Sequence, residues 1–295
     1  MKLSELFNTK KMVYSFEVFP PKIDSDISLI YDTLEGLQHL KPDYVSVTYS
    51  AGGGSNNARS IEIASLIKHK YGIEPLAHLT CINSTKEETL DVAKKLQSEG
   101  IENILALRGD RVPGSVCTDF SYASDLVKFI KNNGMDFDFA GACYPEGHAE
   151  AASLDEDIDN LKKKIDAGVT HLNTQLFFDN EDFFRFIDKV RAAGINVPIQ
   201  AGIMPVVKQN TITRTIAMTG AKVPSKLARM IARFADNPEG LIEAGVLYAT
   251  DQIADLVGSG ACQGVHLYVM NNAKIGTMIT NNVSSLFDGV NNKAW

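Results

Sequence analysis

The sequence predicts a closed parallel (β/α)8 TIM barrel, an α/β fold occupying residues 1–295 as one domain. Three observations predict it. Eight short apolar strands recur along the chain, almost every one ending in a polar or charged residue. A helical pattern lies between neighbouring strands, and the seventh-to-eighth connection carries more than one. A strand–helix alternation repeated in this way closes into a parallel barrel. The length of 295 residues suits a fold that needs about 250.

The strands are Val13–Phe19, Tyr44–Thr48, Pro75–Thr80, Asn103–Leu107, Asp138–Cys143, His171–Gln175, Val197–Ile203 and Gly264–Val269. Such barrels do their chemistry at the carboxyl ends of the strands. The residues there are Glu17, Thr48, His78, Arg108 with Asp110, Tyr144 with His148, Gln175 and Asn271.

Between them, Ser84-x-x-Glu87 reads as a capping box opening a helix that Gly100 closes, and Ser153-x-x-Glu156 opens another that Gly168 ends. In that second helix Ile158, Leu161 and Ile165 repeat at helical spacing and are expected to face the barrel. Beside them runs a polar stripe, Asp157, Asn160 and Lys164, with Lys163 adjacent. A solvated helix face is one reading. The mixture of acid, amide and base directly after Tyr144–His148 suits a ligand-facing surface equally. The stretch from Pro205 to Asn237 is long for a barrel connection and predicts added helices over Thr211–Thr219 and Pro224–Phe234 near the mouth.

Composition narrows the function classes. The formal net charge is −7 with both signs interspersed, which argues against a nucleic-acid or anionic-membrane surface. Cys81, Cys117, Cys143 and Cys262 are scattered without Cys-x-x-Cys spacing, so a disulfide framework or zinc site is not expected and a reducing cytoplasm is. No apolar run approaches the roughly 20 residues that span a bilayer, and the first residues lack a signal-peptide core.

Several loops could carry chemistry. Thr48–Ser55 holds three consecutive glycines between hydroxyl residues, which permits close backbone approach to a phosphate or a plain flexible turn. Arg108-Gly109-Asp110 could bind an anion and present a carboxylate, or form a rim salt bridge. Glu17 lies within Ser-Phe-Glu-Val-Phe-Pro-Pro. A carboxyl group in a poorly solvated barrel interior can serve as a general acid, unless it pairs with a neighbouring Lys or Arg. His171 and His266 begin strands and are expected away from the active face. His78 and His148 lack the pairing and carboxylates of a metal site, and no strand ends in the Lys of a Schiff-base aldolase.

Ser15-Phe-Glu-Val-Phe-Pro-Pro-Lys22, Val45–Tyr49, His78-Leu-Thr-Cys81, Leu105–Asp110, Tyr144-Pro-Glu-Gly-His148, Leu161–Gly168 and Thr174-Gln-Leu-Phe-Phe-Asp179 follow one another. In order and spacing they resemble the motifs of methylenetetrahydrofolate reductases in the short bacterial form. The resemblance spans essentially the whole chain. It implies an FAD-dependent oxidoreductase of one-carbon metabolism, reducing 5,10-methylenetetrahydrofolate to 5-methyltetrahydrofolate by ping-pong hydride transfer. Position by position, it implies flavin contacts at Thr48, Tyr49, Ala51 and His78, at Arg108, Gly109 and Asp110, and at Ser121, Tyr122 and Ala123. Tyr144, His148 and Ala151 extend these toward the adenosine half, and Asp157, Asn160, Lys163 and Lys164 meet the ribose and diphosphate. Glu17 becomes the acid that opens the folate ring, Asp110 and Gln175 hold the pterin, and no metal takes part.

The same resemblance implies NADH, NADPH or a protein as electron donor and a homo-oligomer. Some similar anaerobic proteins work with an iron–sulfur partner subunit, so a flavin-carrying subunit of a larger redox complex is the alternative. Two places depart from the family pattern: Asn271-Asn272 stands where many relatives carry Asn-Arg, and Val206–Thr215 differs. Both bear on the folate tail and on reductant preference.

Overall fold

The computed structural model describes residues 1–21, 25–26, 28–49, 55–111 and 119–292. Its strands are β1 (Val13–Val18), β2 (Tyr44–Val47), β3 (Glu74–Thr80), β4 (Asn103–Leu107), β5 (Asp138–Cys143), β6 (Val169–Thr174), β7 (Ile199–Ile203) and β8 (Gly264–Tyr268). All neighbours pair in parallel, and β8 returns to β1 to close the barrel. The eight strands are those the sequence predicts, two of them with the same ends and the rest with ends moved by at most two residues.

Side chains alternate across each strand, and the barrel separates them cleanly. On β1, Tyr14, Phe16 and Val18 point outward into the large apolar layer beneath the helices. Val13, Ser15 and Glu17 are the other parity and face inward. Among the described residues the helices are α1 (Leu6–Thr9), α2 (Ser28–Gln38), α3 (Ser55–His69), α4 (Lys86–Ser98), α5 (Ala123–Asn132), α6 (Leu154–Ala167), α7 (Asn180–Ala192), α8 (Gln209–Thr219), α9 (Ser225–Arg233), α10 (Pro238–Ser259) and α11 (Ala273–Asn291). The apolar stripe of α6 behaves as its spacing predicts: Ile158 and Leu161 are buried and Ile165 packs against the same layer.

Caps refine the helix starts. α4 is capped by Thr85, not Ser84: Glu88 N–H donates to Thr85 Oγ1 and Thr85 N–H donates to the Glu88 carboxylate. The capping pattern fits Thr85-x-x-Glu88 as well as its one-residue neighbour, and only backbone geometry chooses between them. At α6 the Ser153 hydroxyl accepts from Glu156 N–H, while the Glu156 carboxylate accepts from Ala152 N–H.

The amino-terminal end of the barrel is plugged. Leu3 and Leu6, with Phe7 against them, pack on Val13, Tyr44, Leu76, Leu105 and Ala140 inside the strands. Leu3 N–H donates to Asn103 Oδ1 and Ser4 N–H to Asp138 Oδ2, so the plug's backbone is satisfied by two strand side chains. At the opposite end, α8 and α9 occupy the long β7–β8 connection. Their Ile212 and Leu227 pack with Leu176, Phe178, Met204 and Val206. α10 then crosses so closely that a Cβ on Gly245 would lie 1.9 Å from the Val206 carbonyl oxygen. No helix among the described residues is long and apolar enough to cross a membrane.

Candidate active site

The carboxyl ends of the strands hold two adjoining depressions. The inner one, about 210 Å³, lies in the barrel mouth and is lined by Glu17, Thr48, His78, Gln175, His266 and Tyr268 among others. The outer one, about 350 Å³, runs from the β4 and β5 ends to α6.

Glu17 is the centre of the inner pocket. Parallel pairing sets it beside Ser46 on β2 and Tyr268 on β8, so its side chain enters the mouth. Its Oε2 lies 3.5 Å from His78 Nε2 and 3.7 Å from His266 Nε2, and the side chain is 20% exposed. The expected alternative, a Lys or Arg partner, is replaced by two imidazoles. Burial drives the His78 pKa down to about 4 against the opposing pull of Glu17, so this ring is neutral at neutral pH. Its Nε2 is buried and has no hydrogen-bond partner within the described protein. That is an unusual cost inside a folded protein.

His266 corrects an expectation. It does not sit at the inactive end; it pairs in register with Ser15 and stands one inward position below Tyr268. Its Nδ1 is 2.7 Å from Ser15 Oγ and its Nε2 3.2 Å from Ser46 Oγ. Below it, Tyr44 donates to Gln200 Oε1 and Gln200 Nε2 donates to Ser15 Oγ. The floor of the pocket is therefore a linked polar layer. His171, in contrast, lies at the plugged end as expected, with its ring 5.1 Å from that of Phe7.

Tyr268 is a second residue missed from sequence. Its hydroxyl donates to the Thr174 carbonyl at 2.7 Å, adjacent to Gln175. The ring fits because position 202 is glycine: a Cβ there would meet the Thr174 oxygen at 2.4 Å and the Tyr268 ring at 2.8 Å. Strand parity could have found both His266 and Tyr268, since inward positions below the last strand residue also reach the mouth.

The end of β8 is strained. Met270 and Asn271 both have positive φ, 51° and 52°, a conformation that costs non-glycine residues on the order of 1–3 kcal/mol each. Asn272 caps α11 by accepting from Ile275 N–H, which gives the departure at this position a local structural role.

The outer cleft gathers Arg108, Ser121, Tyr122, Ala123, Tyr144, His148, Ala151, Asp157, Asn160, Lys163 and Lys164, as expected, together with Arg111, Glu150 and Glu156. The polar stripe of α6 thus faces a cavity. Within it, two expectations change. Arg108 forms its bidentate pair with Glu150, at 2.5 and 2.7 Å, not with Asp110, and this holds the Glu150 pKa down to about 2. The two lysines also differ. Lys163 is exposed and donates to Asn160 Oδ1, whereas Lys164 is half-buried and donates to the Ala142 carbonyl. Burial lowers the pKa of Lys164 and raises that of Asp157, and in each case the opposite charge of the other residue works against the shift. His148 N–H donates to the Asp157 carboxylate, tying the β5 loop to α6.

Three expected residues stand apart. Tyr49 turns outward into a separate cleft between α3 and α4, because its place after Thr48 gives it the opposite parity. Asp110 is exposed and lines neither depression, its backbone carbonyl accepting from Asn83. Gly109, with φ 83°, contributes backbone only and sits against Thr80. Ala51 and the glycines beside it lie outside the described residues.

A sequence model described as methylenetetrahydrofolate reductase matches residues 2–284. The 5,10-methylenetetrahydrofolate reductase of Escherichia coli (strain K12) is 39% identical over 265 residues, covering 90% of this chain and 88% of that one. The chain belongs to the methylenetetrahydrofolate reductase family. A longer member, methylenetetrahydrofolate reductase 1 of Schizosaccharomyces pombe, is 36% identical, covering 92% of this chain but 45% of that protein. A Clostridium thermocellum structure, described as binding two copies of 5-methyl-5,6,7,8-tetrahydrofolic acid, superposes with a TM-score of 0.67 at 14% identity, covering 96% of this chain and all of that one. At that identity it supports the barrel alone.

Proposed function

We propose that the protein reduces 5,10-methylenetetrahydrofolate to 5-methyltetrahydrofolate with FAD as cofactor and Glu17 as general acid. The observation that carries this reading is the inner pocket of a family member: a carboxyl group between two imidazoles, with Gln175 lining the same pocket.

The residues present fit a large anionic cofactor. The unpartnered His78 Nε2 offers a buried hydrogen-bonding atom at the inner pocket, and the outer cleft is rich in cations, with Arg108, Arg111, Lys163 and Lys164 on its lining. Thr48 and His78 would hold FAD in the mouth. Arg108, Tyr144, His148, Ala151, Asn160 and Lys163 would hold it along the cleft, with Ser121, Tyr122 and Ala123 at its edge. When bound, FAD supplies hydride, taken from NADH, NADPH or a protein donor and passed on in a ping-pong sequence.

The protein's own part is proton delivery and orientation. Glu17 gives its proton to nitrogen-10 of the folate, the bond from nitrogen-10 to the methylene carbon breaks, and an iminium forms at nitrogen-5. Hydride addition to that carbon completes the methyl group, and the Glu17 carboxylate regains a proton from solvent. The Gln175 amide both donates and accepts, which suits the mixed hydrogen-bonding edge of a pterin. The family resemblance also gives Asp110 a part in holding the pterin, although its exposed side chain lines neither depression. The neutral His78 beside Glu17 leaves the acid's proton free for the folate.

Reconstitution tests the reading. The purified chain is expected to take up FAD with flavin absorbance bands, to lose them on addition of NADH or NADPH, and to regain them with 5,10-methylenetetrahydrofolate while 5-methyltetrahydrofolate appears by mass spectrometry. Absence of bands after FAD addition would end the flavin assignment. Reoxidation by the folate after chemical reduction, with neither nicotinamide active, would instead identify the chain as a carrier fed by a partner protein.

A further inference from the structure

We infer that Asn271 is a positioning residue for Glu17, acting as a side-chain clasp across the seam where the first and last strands meet. This rests on the reading of Glu17 as the acid and goes beyond it. Backbone pairing between β1 and β8 ends at Glu17 and Tyr268. Two residues further on, the Asn271 side chain takes over the ladder: Phe19 N–H donates to Asn271 Oδ1 at 3.0 Å, and Asn271 Nδ2 donates to the Phe19 carbonyl at 2.7 Å. The amide thus imitates one more residue of strand on the only side where β8 has run out. On the other flank, β2 contributes the bond from Thr48 N–H to the Val18 carbonyl.

Holding this position is demanding. Met270 and Asn271 are in the left-handed region, at φ 51° and 52°, and the Asn271 carbonyl is itself fixed by the hydroxyl of Thr33 on α2 at 3.1 Å. Asparagine is the side chain that tolerates this backbone and also carries a donor and an acceptor. Neither strained residue lies in the apolar core, and the Asn271 side chain meets the segment that leaves the strand carrying Glu17. Strain kept at an active-site mouth is a recognised mark of preorganisation. A carboxyl group displaced by a fraction of an ångström loses much of its effect on proton transfer.

The test separates backbone from clasp. Asn271→Gly removes the amide but is relaxed at positive φ, and Asn271→Ala removes it while keeping the strain. Both are expected to slow flavin reoxidation by methylenetetrahydrofolate on the order of tenfold, with flavin reduction changed less than about twofold in the same preparation. In a Glu17→Gln background, Asn271→Gly is expected to add no further loss. Wild-type speed in the Gly variant, equal slowing of both half-reactions, or full additivity with Glu17→Gln would each overturn the inference. A wild-type chain that shows no folate-dependent reoxidation fails the Glu17 reading itself. Should the Asn271 variants not fold, Thr33→Val loosens the clasp from outside, with a two- to threefold slowing of the folate step expected and an unchanged rate overturning the inference.

Discussion

The two ends of this barrel are made from the same eight strands and differ in whether the chain fills them or leaves them open. At the amino-terminal end, Leu3 and Leu6 fill the interior, and Asn103 and Asp138 accept the plug's backbone N–H groups. At the carboxyl end, Glu17 and His78 line an open pocket, His78 Nε2 has no hydrogen-bond partner among the described residues, and Met270 and Asn271 are strained. The plugged end is filled by the chain itself, although His171 Nε2 there is also buried without a hydrogen-bond partner among the described residues. The other end is left open, and the unmet His78 atom lies where a ligand could complete it. Stability and chemistry are thereby assigned to opposite faces of one sheet, as the architecture allows.

The sharpest way to break this contrast is Glu17→Gln. The variant keeps shape and hydrogen bonding but has no proton to give. Folate-dependent flavin reoxidation is expected to fall at least ~100-fold, within the 10²–10⁴ range of general acid catalysis, while flavin reduction by the donor changes less than about tenfold. Stopped-flow absorbance reads both. Equal slowing would make Glu17 a structural residue of the mouth, and the contrast between ends would weaken.

Leu3→Ala is the mirror experiment at the plugged end. Leu3 is fully buried, and such truncations cost about 2–5 kcal/mol. A lowered denaturation midpoint with both half-reactions within about twofold of wild type is the expected result. A kinetic defect in this variant would show that the ends are coupled.

A titration distinguishes them further. His78 has a folded pKa of about 4, lowered by burial from the ordinary 6.5. Between these values the unfolded chain binds the proton that the folded chain refuses. The contribution of this group is therefore complete above about pH 6.5 and is lost as pH falls toward 4, by roughly 3 kcal/mol at most. His171 at the plugged end is also lowered by burial and acts in the same direction. Urea midpoints are expected to drop between pH 7 and pH 5, and His78→Asn to reduce that drop. An unchanged drop would leave His171 as its source.

The smallest effect is expected in the outer cleft. Lys163→Ala removes an exposed cation and is expected to weaken FAD binding about two- to fivefold, the range of an exposed ion pair. The salt dependence of binding should fall with it, without a change in melting temperature. Lys164→Ala is expected to lower the melting temperature as well, because the ammonium group of Lys164 is built into the wall through the Ala142 carbonyl.

What the sequence made legible follows from period. The strands and the α6 stripe could be read because alternation and helical spacing survive without tertiary knowledge, and through them Glu17, His78, Gln175 and the α6 residues reached their depressions. His266 lies near the strand start in sequence, yet its shared parity with Tyr268 brings it beneath the mouth. Tyr49 failed for the converse reason: it neighbours Thr48 in sequence but lies on the other side of the strand. The choice of Glu150 over Asp110 as partner for Arg108 joins residues 42 apart, and no local pattern encodes it. The Asn271 amide joins positions 252 apart, so its role exists only once the barrel has closed.

Gly245 carries a consequence for how this chain can vary. α10 rests on the backbone of the segment leaving β7, with no room for a methyl group between Gly245 and the Val206 carbonyl oxygen. A side chain at that point could be admitted only by lifting a 22-residue helix or by shifting the segment that leads into α8 and α9. A substitution of a side chain that faces the mouth acts through what the new side chain touches. Here the change would be read out as a displaced roof, so drift at position 245 would reshape the mouth without altering any residue that faces it.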